Sequence, residues 1–101
     1  MKIKFMGRVI EVQITDLHGV EYDGWVTGDG RKVFVSSDLD AADQLDTLLH
    51  ELLHCSLTVL GVDVATMDEE QIVSVLATSV ASLLRDNKEL AKLVGDLAAK
   101  E

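Results

Sequence analysis

Apolar and polar residues alternate along the first third of this chain, then recur at three- and four-residue steps through the rest. Lys2 to Phe5 and Arg8 to Ile14 follow the alternating pattern. Val9, Ile10, Val12 and Ile14 add β-branched weight, and Gly7 suits a tight turn or bulge between the two runs. Residues 15–30 are dense in turn formers: Asp16, Gly19, Asp23, Gly24, Gly28, Asp29 and Gly30. Within them Gly24 to Thr27 reads as a short strand, and Asp29-Gly30 as a hairpin turn into a further strand, Arg31 to Ser36. The pattern predicts a small sheet of three or four antiparallel strands.

From Ser36-Ser37-Asp38 onward the period becomes helical. Leu45, Leu48, Leu49, Leu52, Leu53, Val59 and Leu60 build one broad leucine face centred near Leu45, Leu49 and Leu52, and Gly61 is placed to end the helix. A second helix is expected to begin around Thr66 to Asp68. Two capping boxes are available there, Thr66 with Glu69 or Asp68 with Gln71, and Ile72, Val73, Leu76, Val80, Leu83 and Leu84 follow as the apolar face. Leu90, Leu93, Val94 and Leu97 predict a last helix over the tail, interrupted near Gly95. The expected fold class is α+β, a small antiparallel sheet followed by a long helix and one or two more, in one compact domain over residues 1–101.

Composition narrows the function classes. Nine basic and eighteen acidic side chains give a formal net charge of −9, which repels phosphate backbones and argues against a nucleic-acid binder. No apolar run approaches the ~18 residues that span a bilayer. A charged, strand-like N-terminus and a single cysteine point to the cytoplasm rather than a secretory route. Oligomeric state leaves no mark on the sequence.

The candidate chemistry lies on the long helix, where His50-Glu51-Leu52-Leu53-His54 spells H-E-x-x-H. Residues four apart share one side of a helix, so both imidazoles can reach a single Zn2+. Glu51 points about 100° away from His50 and can approach a water on that ion without entering the coordination shell. His50 and His54 fall on a stripe with Asp43, Thr47 and Gly61, more than about 90° from the centre of the leucine face. Two histidines leaving the core together argue against a core role for either.

A catalytic zinc takes three protein ligands and keeps a fourth position for water. The second helix offers two carboxylates for the third place. Glu69 projects from the centre of that helix's apolar face, where a carboxylate is costly unless paired or metal-bound, yet a capping box starting at Thr66 would explain it with no metal. Glu70 lies on the flank with Val73 and Ala77. Around the motif, Thr47 reads as a surface helix residue, Cys55 as a buried structural thiol, and His18 as an exposed loop histidine. Nothing in the spacing requires Tyr22 to act as an oxyanion donor. Trp25 is expected to anchor the sheet to a helix.

The stretch VFVSSDLDAADQLDTLLHELLH, Val33 to His54, resembles the small zincin-type metallopeptidases, compact gluzincin-like proteins of phages and bacteria related to the ImmA/IrrE and SprT-like groups. Their pattern is an edge strand, a short polar connection and a helix reading T-L-x-H-E-x-x-H, which Thr47 to His54 matches. The ImmA-like register, a glutamate ligand with apolar residues at +3, +6 and +7, fits Glu70 with Val73, Leu76 and Ala77, and so favours Glu70 over Glu69. Ser74 stands where Asp or Asn is common, and the chain is shorter than most such peptidases, without an obvious lid.

The resemblance implies a zinc-dependent metallopeptidase with His50, His54 and Glu70 as ligands, Glu51 as general base, and a protein or peptide substrate aligned along an edge strand at Val33 to Ser36. The alternative, from another class, is a regulatory or interaction module that binds metal without cleaving anything.

Overall fold

Met6 (φ 48°) and Gly7 (φ 77°) turn strand β1 (Lys2–Phe5) back onto β2 (Arg8–Thr15). Two successive left-handed residues are what a two-residue hairpin needs to match the twist of its strands. Ile3 then faces Ile10, and Lys4 faces Val9. The computed structural model describes residues 1–17 and 23–100.

A second hairpin joins β3 (Gly24–Val26) to β4 (Lys32–Ser36), with Trp25 opposite Phe34. Its turn is held by the Asp29 carboxylate, which accepts from the Thr27 hydroxyl at 2.7 Å and the Arg31 backbone N–H at 3.0 Å. Those two bonds, the hydroxyl first, hold the Asp29 carboxyl below its usual range. The spatial order is β1-β2-β4-β3, and the central pair β2 and β4 runs parallel, Val12 beside Val33. The sheet is therefore mixed rather than wholly antiparallel. Alternation fixes which side chains share a face but carries no information on strand direction.

One face of the sheet is buried. Ile3, Phe5, Ile10, Val12, Val33 and Val35 are all at most 2% exposed and form the core with Leu48, Leu52, Cys55, Leu83 and Leu90 from the helices. The other face, with Lys2, Lys4, Val9, Lys32 and Trp25, is open to solvent.

Helix α1 (Ala41–Leu60) starts at Asp40, whose carboxylate accepts from the Asp43 N–H, and ends at Gly61, whose left-handed conformation (φ 66°) returns its N–H to the Leu57 and Thr58 carbonyls. Its buried positions are Leu48, Leu52, Cys55 and Ser56, turned towards Cys55 from the predicted centre. Leu45 and Leu49 are only half-buried, on a flank shared with Ala98.

A short 3₁₀ turn (Val64–Thr66) leads to α2 (Glu69–Asp86), and of the two candidate capping boxes Asp68 with Gln71 forms. The buried positions of α2 are Ser79, Ser82 and Leu83, while Val73 and Val80 of the predicted apolar face stand in solvent. Small side chains let α2 lie close against β1 and α3. The last helix, α3 (Lys88–Ala99), runs unbroken through Gly95. Packing of Leu90, Leu93, Val94 and Leu97 outweighs the ~1 kcal/mol that a glycine costs inside a helix. Among the described residues no helix is long and apolar enough to cross a membrane.

Candidate metal-binding site

The stripe of α1 at Thr47, Glu51, His54 and Thr58 follows the three- and four-residue spacing of one helix side, and it faces β3 and its hairpin. Two glycines let the backbone come this close. A Cβ on Gly24 would stand 2.6 Å from the Thr47 Cγ2, 2.8 Å from the Phe34 carbonyl oxygen and 3.4 Å from the Glu51 Cγ. Gly30 is left-handed (φ 70°), and a Cβ there would meet the Thr58 Cγ2 at 3.0 Å. Thr47 is accordingly packed against β3, not a free surface residue.

Glu51, His54 and Thr58 form one wall of an open cleft of about 390 Å³, and Gly24 to Gly28 form the other. His50 lies just outside this lining, one turn back along the helix. Both imidazoles are exposed, and Glu51 is half-buried. Their rings meet edge-on, centroids 4.8 Å apart, with the two Nε2 atoms at 3.2 Å.

That separation tests the fit of a metal. Two nitrogens bound to zinc at about 2.0–2.1 Å in tetrahedral geometry stand roughly 3.3 Å apart. The observed 3.2 Å matches, so the pair fits two positions of a tetrahedral shell. Two neutral imidazoles can hold this contact only if one donates to the other, whereas a shared cation satisfies both lone pairs.

The remaining ligand positions are not filled from the described residues, where no group of three or more His, Cys, Asp or Glu side chains is gathered. Glu69 and Glu70 both lie exposed on the first turn of α2. Glu69 neither points inward nor belongs to the capping box, because the cap is set two residues later than Thr66. His18 and Tyr22 lie outside the described residues.

Cys55 is fully buried in the core, next in sequence to His54 but turned away from it. Burial, then the negative charges of Glu51 and Asp29, push its thiol up to about 11. Its burial is as expected.

Two expectations are corrected. Trp25 does not anchor the sheet to a helix. Neighbouring residues in a strand point to opposite faces, and since Gly24 and Val26 face α1, Trp25 faces away, packing on Phe34 with ring centroids 4.9 Å apart. Val33 to Ser36 is also not an edge, since β4 lies between β2 and β3.

The edge beside the site is β3. Its bonds to β4 are made at Asp23, whose carbonyl accepts from the Ser36 N–H, at Trp25 and at Thr27, whose N–H donates to the Lys32 carbonyl. By the alternation of an antiparallel ladder, the N–H and C=O groups of Gly24 and Val26 point outward. The sequence signal for this edge was present as glycines at 24 and 30, but it reads equally well as turn chemistry.

Comparison of the chain with protein-family profiles, with curated proteins and with solved structures finds no match.

Proposed function

We propose that this chain is a zinc-dependent metallopeptidase in which His50 and His54 hold the ion and Glu51 is the general base. The observation that carries the reading is the 3.2 Å separation of the two Nε2 atoms, with Glu51 in the adjoining cleft wall. Glu70 enters as third ligand on the sequence resemblance alone.

When bound, zinc supplies Lewis acidity, polarising the scissile carbonyl and bringing a water's pKa down to about 7. The chain's own groups do the rest. An extended peptide adds beside β3, where the outward N–H and C=O groups of Gly24 and Val26 hold its backbone in register with the cleft. Glu51 accepts the proton of the attacking water and passes it to the leaving amine nitrogen. Its half-burial beside the Gly24 backbone restricts where the carboxylate can swing. A single cysteine permits no internal disulfide, which supports a cytoplasmic setting.

A second reading has its own support. The histidines are exposed, the cleft is open and no third ligand is gathered among the described residues, which suits a metal-binding interaction module without catalysis.

Metal analysis of tag-free protein tests both, with about one zinc per chain expected and none after His50→Ala. Failure to take up zinc even when it is added overturns both readings. Glu51→Gln should keep zinc and fold while losing cleavage of a mixed fluorogenic peptide library. Zinc uptake by a wild type that cleaves nothing leaves the module.

A further inference from the structure

The site faces the β3 edge of the sheet, and the end of the sheet where β2 and β4 begin has a different character. Although the chain carries a net charge of −9, five of its nine cationic side chains lie on the sheet or beside it, Lys2 and Lys4 on β1, Arg8 on β2, Arg31 just before β4 and Lys32 at its start. All five are exposed, and none forms an ion pair with another described residue. Residues 37–84, by contrast, hold nine acidic side chains and no basic one. Residues 1–36 hold five acidic side chains beside their five basic ones, so the net negative charge of the chain comes from residues 37–84.

The local carboxylates compensate this corner only in part. Asp86 borders it but is engaged by the Arg85 guanidinium at 3.1 Å and the Ser82 hydroxyl at 3.3 Å. Asp29 attracts the Arg31 charge without forming an ion pair, its oxygen accepting from the Thr27 hydroxyl and the Arg31 backbone N–H. Glu11 stands between Lys2 and Lys32 in the ladder and offsets part of those two.

Arg8 and Arg31 are answered only in part, Arg31 by the charge of Asp29 and Arg8 by that of Asp86, with which it lines a cavity. The two arginines border one shallow cavity of about 400 Å³ together with Gly7 and Val9. The backbone bond from the Glu11 N–H to the Arg31 carbonyl, 2.7 Å, seats Arg31 against β2 and fixes that spacing. A second cavity of about 330 Å³ continues round the hairpin tip to Lys4 and Met6. Met6 and Val9, each 52% exposed, put apolar surface between the cations.

We propose that this hairpin corner docks a carboxylate-bearing, partly apolar peptide segment of a partner protein. Arginine forks pair well with carboxylates, and Met6 and Val9 supply the apolar contact that a phosphate chain would not use. Two other occupants are less suited. An extended polyanion meets the repulsion of the whole molecule beyond the corner, and a second copy brings a net charge of −9 of its own. The proposal stands independently of any activity at the histidine pair.

The test is selection from a displayed random library of peptides about 12 residues long, on folded wild-type protein with counter-selection on Arg8→Glu/Arg31→Glu. Enriched peptides should carry Glu or Asp beside an apolar residue. Their affinity, read by fluorescence anisotropy, should fall about tenfold or more in the double variant and decline as salt rises from about 50 to about 300 mM. Arg8→Gln/Arg31→Gln, with an unchanged circular dichroism spectrum, separates lost recognition from lost fold and should weaken binding to a lesser degree.

No enrichment, or peptides that bind wild type and double variant alike, overturns the proposal. So does binding of an oligothymidylate strand that the same variant abolishes, which would make the corner a polyanion site. Salt-sensitive self-association in sedimentation, lost in the variant, would assign the corner to a second copy and equally overturn it.

Discussion

The Asn87 side chain grips the Lys4 peptide from both sides: its Nδ2 donates to the Lys4 carbonyl at 2.8 Å, and its Oδ1 accepts from the Lys4 N–H at 2.7 Å. A third bond, from Nδ2 to the Leu83 carbonyl at 2.8 Å, ties the same group to the end of α2. One amide thus acts as a short artificial strand at the β1 edge and fixes the junction of α2 and α3 to the sheet. Asn87→Ala should cost about 2–4 kcal/mol, since three bonds at a buried position are lost together. Urea unfolding measures it, and a loss below about 0.5 kcal/mol would show that water replaces the amide without penalty.

Gly24 should resist any side chain. Gly24→Ala drives a methyl into both Thr47 and the Phe34 carbonyl, and a loss of about 1–3 kcal/mol is expected from overpacking. Adding Thr47→Ser removes the clashing Cγ2 and should restore part of that loss, but not all, because the Phe34 backbone cannot withdraw as easily. A double-mutant cycle on chemical denaturation reads the coupling, and strictly additive effects would contradict the contact.

Cys55 predicts a loss of stability at alkaline pH. The thiol titrates near 9.0 in an ordinary setting and at about 11 in the fold. The unfolded chain therefore loses this proton first. The contribution is fully present below about pH 9 and disappears as pH rises towards 11, on the order of 2 kcal/mol in all. Denaturation midpoints across that range should fall more steeply for wild type than for Cys55→Ala. A thiol reagent at pH 8 should label the native protein only as fast as it opens.

The third ligand can be located by paired variants. Glu70→Ala is expected to weaken zinc binding about tenfold or more, with Glu69→Ala close to wild type, both measured by competition with a chelating dye. Equal, unchanged affinities would remove α2 from the coordination shell altogether.

The fold was legible wherever one residue type answers one local question. Gly61 as a left-handed stop and Gly7 in the first turn each follow from backbone chemistry that no tertiary contact needs to decide, whereas the sequence offers two capping boxes for α2 and the structure selects Asp68 with Gln71. Strand direction was not, because Val12 beside Val33 looks the same in parallel and antiparallel ladders. Nor was the inward face of α2, where buried Ser79 and Ser82 and exposed Val73 and Val80 invert the usual sorting.

At the site, His50 and His54 were placed correctly off the leucine face by helical geometry alone. The edge beside them was assigned to the wrong strand. Choosing β3 over β4 depends on a long-range pairing of β2 with β4 that leaves no local trace.

The shortness of β3 has a further consequence. An exposed strand edge is an invitation to other chains, and proteins that leave one open risk stacking into fibrils. Among the described residues of this edge, only Gly24 and Val26 offer outward groups, over a strand of three residues. A visiting segment can be held there, but the ladder is too short to template a growing stack, and the β1 edge is occupied in part by Asn87. The same brevity that leaves the edge available for one peptide protects the protein from its own copies.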